Sequence, residues 1–216
     1  MPRVRFNISV SLDGYVAGPD QTREEPLGRG GEALHEWVVK LQSWRASHGM
    51  DGGTVSPDDE IMLETLKNAG ATIMGREMFG GGPGPWDTDQ PWMGWWGKSP
   101  PFKHPVFIVT HYQREPVSLQ NGTTFTFVTG GIREALEQAR EAAGGKDVMI
   151  GGGADVADQF LAEGLVDEME LHVVPILLGG GSRLFEKAGT NLHGLEPVRT
   201  VQGDGVVHLK FARETG

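Results

Sequence analysis

Residues 147–156 read Asp147-Val148-Met149-Ile150-Gly151-Gly152-Gly153-Ala154-Asp155-Val156. An apolar run enters three glycines and leaves on a helical pattern that continues to about Glu163. A strand that turns straight into a helix belongs to a parallel sheet, because neighbouring antiparallel strands are joined by hairpins instead. Glycines at such a turn expose backbone N–H groups beside the positive end of the helix, which suits a phosphate. The same glycines serve equally as a tight turn, and at this point both readings stand.

Outward from this turn the pattern repeats. Ala71 to Met74 is a buried strand, and Gly75-Arg76 turns it into a short helix, Glu77 to Phe79. Arg3 to Ser11 is a strand in which Val4, Phe6, Ile8 and Val10 alternate with polar residues, followed by an Asp13-Gly14 turn and a short extended piece, Tyr15 to Ala17. Ser56-Pro57-Asp58-Asp59 is a helix start, with a serine cap, proline at the first position and acids in the first turn. Val106–Thr110, Thr123–Thr129 and Glu168–Pro175 are further strands, and Ile132–Ala143 is an amphipathic helix. The chain closes on a hairpin, Val198–Gln202 and Val206–Ala212, around Gly203-Asp204-Gly205. The expectation is one α/β domain over 1–216: a central mixed, mostly parallel sheet flanked by helices, with a C-terminal antiparallel hairpin. A loop–helix–loop segment is inserted at about 20–55, its helix expected over Glu32–Ser47.

Composition narrows the function. Apolar residues are 38% of the 216, enough for a sizeable core, and no stretch approaches the length of a membrane span. The start lacks the apolar run of a secretion signal, so a cytoplasmic location is expected. The net charge of −10 opposes nucleic-acid binding. There is no cysteine, which removes thiolate nucleophiles and cysteine zinc sites, and no metal site is expected.

The glycine turns do not spell the G-x-G-x-x-G dinucleotide fingerprint. The phrase Ser11-Leu12-Asp13-Gly14-Tyr15-Val16-Ala17, the Met74-Gly75-Arg76 turn, the Ile150-Gly151-Gly152-Gly153 turn and the run from Leu165 through Pro175 to Gly181 follow a family order. In that order and spacing the chain resembles the dihydrofolate-reductase-like superfamily. Within it, the chain resembles the reductase domain at the C-terminus of bacterial riboflavin-biosynthesis enzymes, the RibD C-terminal domain. The resemblance spans roughly residues 3–213 apart from the 20–55 segment. It implies a dihydrofolate-reductase-like sheet, NADPH as hydride donor, a small-molecule substrate and a homodimer.

Carried over by position, Ser9, Val16 and Ala17 line the nicotinamide site. Gly75, Arg76 and Met78 meet the pyrophosphate and ribose. Thr110, His111 and, as a further candidate, Arg114 follow the strand at the adenosine end, where a cation recognises a 2′-phosphate. Gly151, Gly152, Gly153, Ala154, Asp155 and Val156 form the second phosphate turn. Asp59 falls where dihydrofolate reductases carry an active-site carboxylate, yet an acid in a first helical turn also stabilises the helix dipole, and both roles stay open. Arg114 reads as a solvated loop charge and His35-Glu36 as a solvated helix face. Of Glu170 and His172, which alternate on one strand, one is expected to face the site. Trp86, Trp92, Trp95 and Trp96 share one glycine- and proline-rich loop, either a wall for a flat substrate or a satellite core against the 32–47 helix.

Two departures bear on the substrate. The family motifs begin close to the first residue, so a preceding zinc deaminase domain is not expected. Tyr15 stands where pathway enzymes often have a basic residue, which argues against a ribosyl-phosphate substrate. The reading is an NADPH-dependent reductase of a small pterin- or pyrimidine-like ring. Its rivals are a non-catalytic nucleotide-binding or assembly module and a flavin-binding module on the same fold.

Overall fold

The structure is a computed structural model and describes residues 2–89 and 91–214. Its centre is a nine-stranded sheet. The strands in chain order are β1 (Val4–Ser11), β3 (Ala69–Gly75), β4 (Pro105–Val109), β5 (Val117–Ser118), β6 (Thr124–Val128), β7 (Asp147–Gly152), β8 (Glu168–Val174), β10 (Glu196–Gln202) and β11 (Val207–Ala212). Their spatial order is β10-β11-β8-β1-β7-β3-β4-β6-β5. From β8 to β6 every pairing is parallel; β11, β10 and β5 are antiparallel additions at the edges. A second, two-stranded sheet pairs β2 (Tyr15–Ala17) with β9 (Ser182–Arg183). The mixed, mostly parallel sheet with a terminal hairpin is the expected architecture.

One face of the sheet carries α5 (Gly131–Ala142) and α6 (Ala154–Ala162) over the largest apolar cluster, which includes Phe6, Ile73, Ile150, Phe160 and Met169. The other face is divided. Above β1, β8 and β11 lies α3 (Pro57–Leu66), which starts as expected: Ser56 Oγ accepts the N–H of Asp59 at 3.4 Å, and Pro57 occupies the first turn. Beneath it the alternate residues of β1 are polar but not solvated. Arg5, Ser9 and Ser11 are buried, as are Glu168, Glu170, His172 and His208 on the neighbouring strands. Glu64 of α3 receives Arg199 and Lys210, each at 2.6 Å, and Lys210 also reaches Glu168 at 2.9 Å. These ion pairs satisfy charges that a helix over a polar sheet face would otherwise strand.

The inserted segment differs from expectation. In place of one helix there is a 3-10 helix (Gly31–His35), then α1 (Glu36–Val39) and α2 (Gln42–Ser47). Leu41 breaks the run with extended backbone because its flanks bond elsewhere: the N–H of Thr54 donates to Lys40 O and the N–H of Gln42 to Thr54 O. The broken path turns Leu34, Trp37, Val38 and Leu41 onto Val174 and Val206, forming a second apolar cluster.

The third cluster corrects the expected partner of the tryptophan loop. Trp86, Trp92 and Trp96 pack on Met74, Phe79, Val106, Ile108, Phe125 and Phe127, not on Trp37 or Trp44 of the insert. They cover the β3–β4–β6 half of the sheet, with α4 (Arg76–Phe79) as part of the wall. No helix among the described residues is long and apolar enough to cross a membrane.

Candidate functional site

Three neighbouring parallel strands end together. Met74 of β3 is in register with Gly152 of β7, and Gly75 with Val109 of β4. That alignment brings Gly75, Arg76, Met78, Thr110, His111 and residues 151–156 to one edge of the sheet.

The glycines there have distinct reasons. Gly152 and Gly153 sit at φ 124° and 81°, where a side chain is strained. Gly151 has ordinary backbone, but a Cβ on it would stand 2.8 Å from Thr72 Cγ2. A Cβ on Gly75 would be 3.1 Å from Val156 Cγ2. The two turns therefore pack backbone to backbone, and Val156 is a core residue of that contact, 4% exposed. Gly153 caps α6 without a side-chain hydrogen bond, which leaves the first N–H groups of this nine-residue helix to an outside acceptor. Asp155 in that first turn is engaged elsewhere, with Lys187 at 2.5 Å and Gln159 at 2.9 Å. The Lys187 hydrogen bond, above all, holds its carboxyl below the usual range.

Beside the turn stand two arginines without an acid. The Arg76 guanidinium lies 3.3 Å over the ring of Trp86, and Arg114 lies 5.1 Å from the same ring and 4.9 Å over Phe127. Arg76 donates to Gly82 O at 2.9 Å and, at 3.4 Å, to Thr110 Oγ1; Arg114 donates to Trp92 O at 2.6 Å. Among the described residues neither forms an ion pair, and the buried Nε of Arg76 has no hydrogen-bond partner. Burial lowers the pKa of Arg76, and the charge of Arg114 lowers it further; burial likewise lowers that of Arg114. Two partly buried cations that repel each other stand at the strand edge that also carries the start of α6. Arg114 is thus no solvated loop charge. Sequence reading named both arginines but not what joins them: the ring of Trp86 lies against each.

The expected nicotinamide residues lie one strand away. Ser9 is buried and accepts the indole N–H of Trp37 at 3.0 Å. Val16 and Ala17 pack inward beside the 3-10 helix, where a Cβ on Gly31 would be 3.8 Å from Ala17 Cα. Asp59 is 3% exposed, and its Oδ1 accepts the N–H of Ser43 at 2.8 Å, in the first turn of α2. His35 is mostly enclosed, its Nδ1 buried without a partner, and burial lowers its pKa, so it is not part of a solvated helix face. His172 faces the interior beneath Trp37, while Glu170 binds Arg199 at 2.8 Å.

The RibD C-terminal domain pattern matches residues 2–209. A Bacillus subtilis protein, the uncharacterized YwjB, is 32% identical over 88 residues, which are 41% of this chain and 49% of that protein. The chain thus spans about half the length of that curated relative. Among solved structures, Acinetobacter baumannii RibD aligns at TM-score 0.56 with 19% identity, over 98% of this chain and 58% of that one. Dihydrofolate reductase from Enterococcus faecalis, complexed with NADP(H) and RAB-propyl, aligns at TM-score 0.54 with 13% identity, over 99% and 97%. At these identities the structural likeness is one of fold.

Proposed function

The chain belongs to the RibD C-terminal domain family, and from that premise we propose that it is an NADPH-dependent reductase. It passes hydride to a C=N or C=O bond of a small pterin- or pyrimidine-like ring. The observation that carries the reading is the unpaired Arg76–Trp86–Arg114 stack beside the uncapped α6. The residues fit the cofactor: the side-chain-free backbone at Gly152 and Gly153 beside the uncapped α6 would take the pyrophosphate, and Arg76, expected there by position, would join Arg114 in holding the 2′-phosphate that distinguishes NADPH. Bound there, NADPH supplies the hydride, and the protein positions the two rings. Asp59 belongs to the substrate side of this reading and Ser9 to the nicotinamide end beside it, both beneath the inserted segment, and the protein works in the cytoplasm as a homodimer.

The test mixes the protein with NADPH and 7,8-dihydropterin, a pyrimidinone or a small carbonyl, and follows NADPH absorbance. Protein-dependent consumption with one of them supports the reductase. Binding without consumption across all three classes favours the alternative, a non-catalytic nucleotide-binding module.

A further inference from the structure

Under α3 runs a chain of buried titratable groups that the cofactor site does not use. Asp58 Oδ1 lies 3.0 Å from His208 Nε2, and His208 Nδ1 lies 2.8 Å from His172 Nδ1. All three residues are at most 3% exposed. The N–H of Asp204 donates to Asp58 Oδ2 at 3.2 Å. Among the described residues no group of histidines and acids is arranged to hold a metal ion, so this is a hydrogen-bonded chain.

The bonding dictates its proton states. An ionised Asp58 only accepts, so His208 Nε2 carries a hydrogen. With His208 neutral, its Nδ1 is a lone pair; His172 must then donate from Nδ1, and His172 Nε2 is left as an acceptor. With a second proton on His208, the direction reverses: His172 accepts at Nδ1 and carries its hydrogen on Nε2. One added proton therefore turns His172 Nε2 from acceptor to donor, while the His172 ring stays neutral in both states. Burial pushes the pKa of His172 down to about 3, with the charges of His208, Arg199 and His35 acting in the same direction, so the His172 ring stays neutral. The groups facing the pair are Asp58 from α3, Arg199 from β10 and His35 from the 3-10 helix, and Arg199 is itself tied to Glu170 and Glu64.

In the reductase reading the outer end of the chain adjoins the nicotinamide residue Ser9. His172 is in register with Ser9, and Trp37 bonds Ser9 while packing on His172 with ring centroids 4.7 Å apart. Nε2 of His172 makes no hydrogen bond to a described residue.

We infer that Asp58, His208 and His172 form a proton chain whose outer end, His172 Nε2, supplies the proton that must accompany hydride transfer. This rests on the reductase reading. Hydride reaches the substrate carbon and oxidises the nicotinamide; the π pair of the C=N or C=O bond moves to nitrogen or oxygen, which takes the proton from His172 Nε2. The proton on His208 Nδ1 shifts to His172 Nδ1, Asp58 remains a carboxylate, and solvent restores the lost proton. His172 is the group that would touch substrate; His208 and Asp58 act through it.

The test uses histidine-15N-labelled protein loaded with NADPH, with proton–nitrogen correlation spectra from about pH 5 to 8, the range in which histidine switches charge. The expected result is that the hydrogen on His172 moves from Nδ1 to Nε2 as the hydrogen-bonded histidine pair takes up one proton, and that Asp58→Asn abolishes this coupling. With 7,8-dihydropterin as acceptor, Asp58→Asn lowers kcat about tenfold or more, leaves KM nearly unchanged and removes one limb of the pH profile. The spectra of the unmodified protein stand alone if the variant fails to fold. A His172 tautomer fixed across the range, an unaltered kcat profile, or no turnover of dihydropterin overturns the chain. Failure of the unmodified protein to bind NADPH overturns the reductase reading and the chain with it, so the two failures are distinguishable.

Discussion

The carboxylate of Asp59 accepts the backbone N–H of Ser43 at 2.8 Å, so an acid in the first turn of α3 caps the first turn of α2. Asp59→Ala removes that acceptor and is expected to destabilise the protein by about 1 kcal/mol, the usual effect of losing a helix cap. Asp59→Asn keeps the oxygen and most of the stability. Thermal unfolding of the two variants separates the cap from the charge, and loss of turnover in Asp59→Asn alone assigns the charge to chemistry.

Gly203 faces Asp58 so closely that a Cβ would stand 1.9 Å from Asp58 Oδ1. Gly203→Ala is expected to displace the carboxylate from His208 and to destabilise by roughly 1–3 kcal/mol, the range for an overpacked interior. A denaturant midpoint equal to that of the unmodified protein would show that the β10–β11 turn yields freely.

Acid should weaken the fold in two steps. Burial, with the charge of Lys146, pushes His104 down to about 4. A depressed histidine contributes stability that is present above its ordinary pKa of about 6.5 and lost as pH falls toward its folded value. Glu64 is raised by burial, but the hydrogen bonds from Lys210 and Arg199 outweigh this and bring it to about 2. Its contribution is present above the ordinary carboxylate pKa of about 4.3 and is lost as pH falls from there toward about 2. Denaturant midpoints should therefore decline below about pH 6.5 and more steeply below about 4.3, and His104→Gln should flatten the first decline.

The sheet and its glycine turns were legible in the sequence because their signals are local. The run Val148–Ile150, the glycines after it and Ser56-Pro57 each specify backbone within a few residues. The buried polar cluster under α3 was not legible for the opposite reason. Asp58 and His208 are 150 residues apart, and only the pairing of β8 with β11 places His208 against His172. The polar alternation of β1 reads as a wet face until α3 is laid over it with compensating charges. The insert misled helix reading at Leu41, where a bridge to Thr54 overrides helical spacing.

The Arg76–Trp86–Arg114 stack makes the central claim measurable. Tryptophan fluorescence quenching should report NADPH binding at least about tenfold tighter than NADH, and Arg76→Ala with Arg114→Ala should erase most of that preference, as expected for loss of charged hydrogen bonds worth about 1.5–3 kcal/mol. Equal affinity for the two cofactors, or a preference that survives both substitutions, would contradict the account.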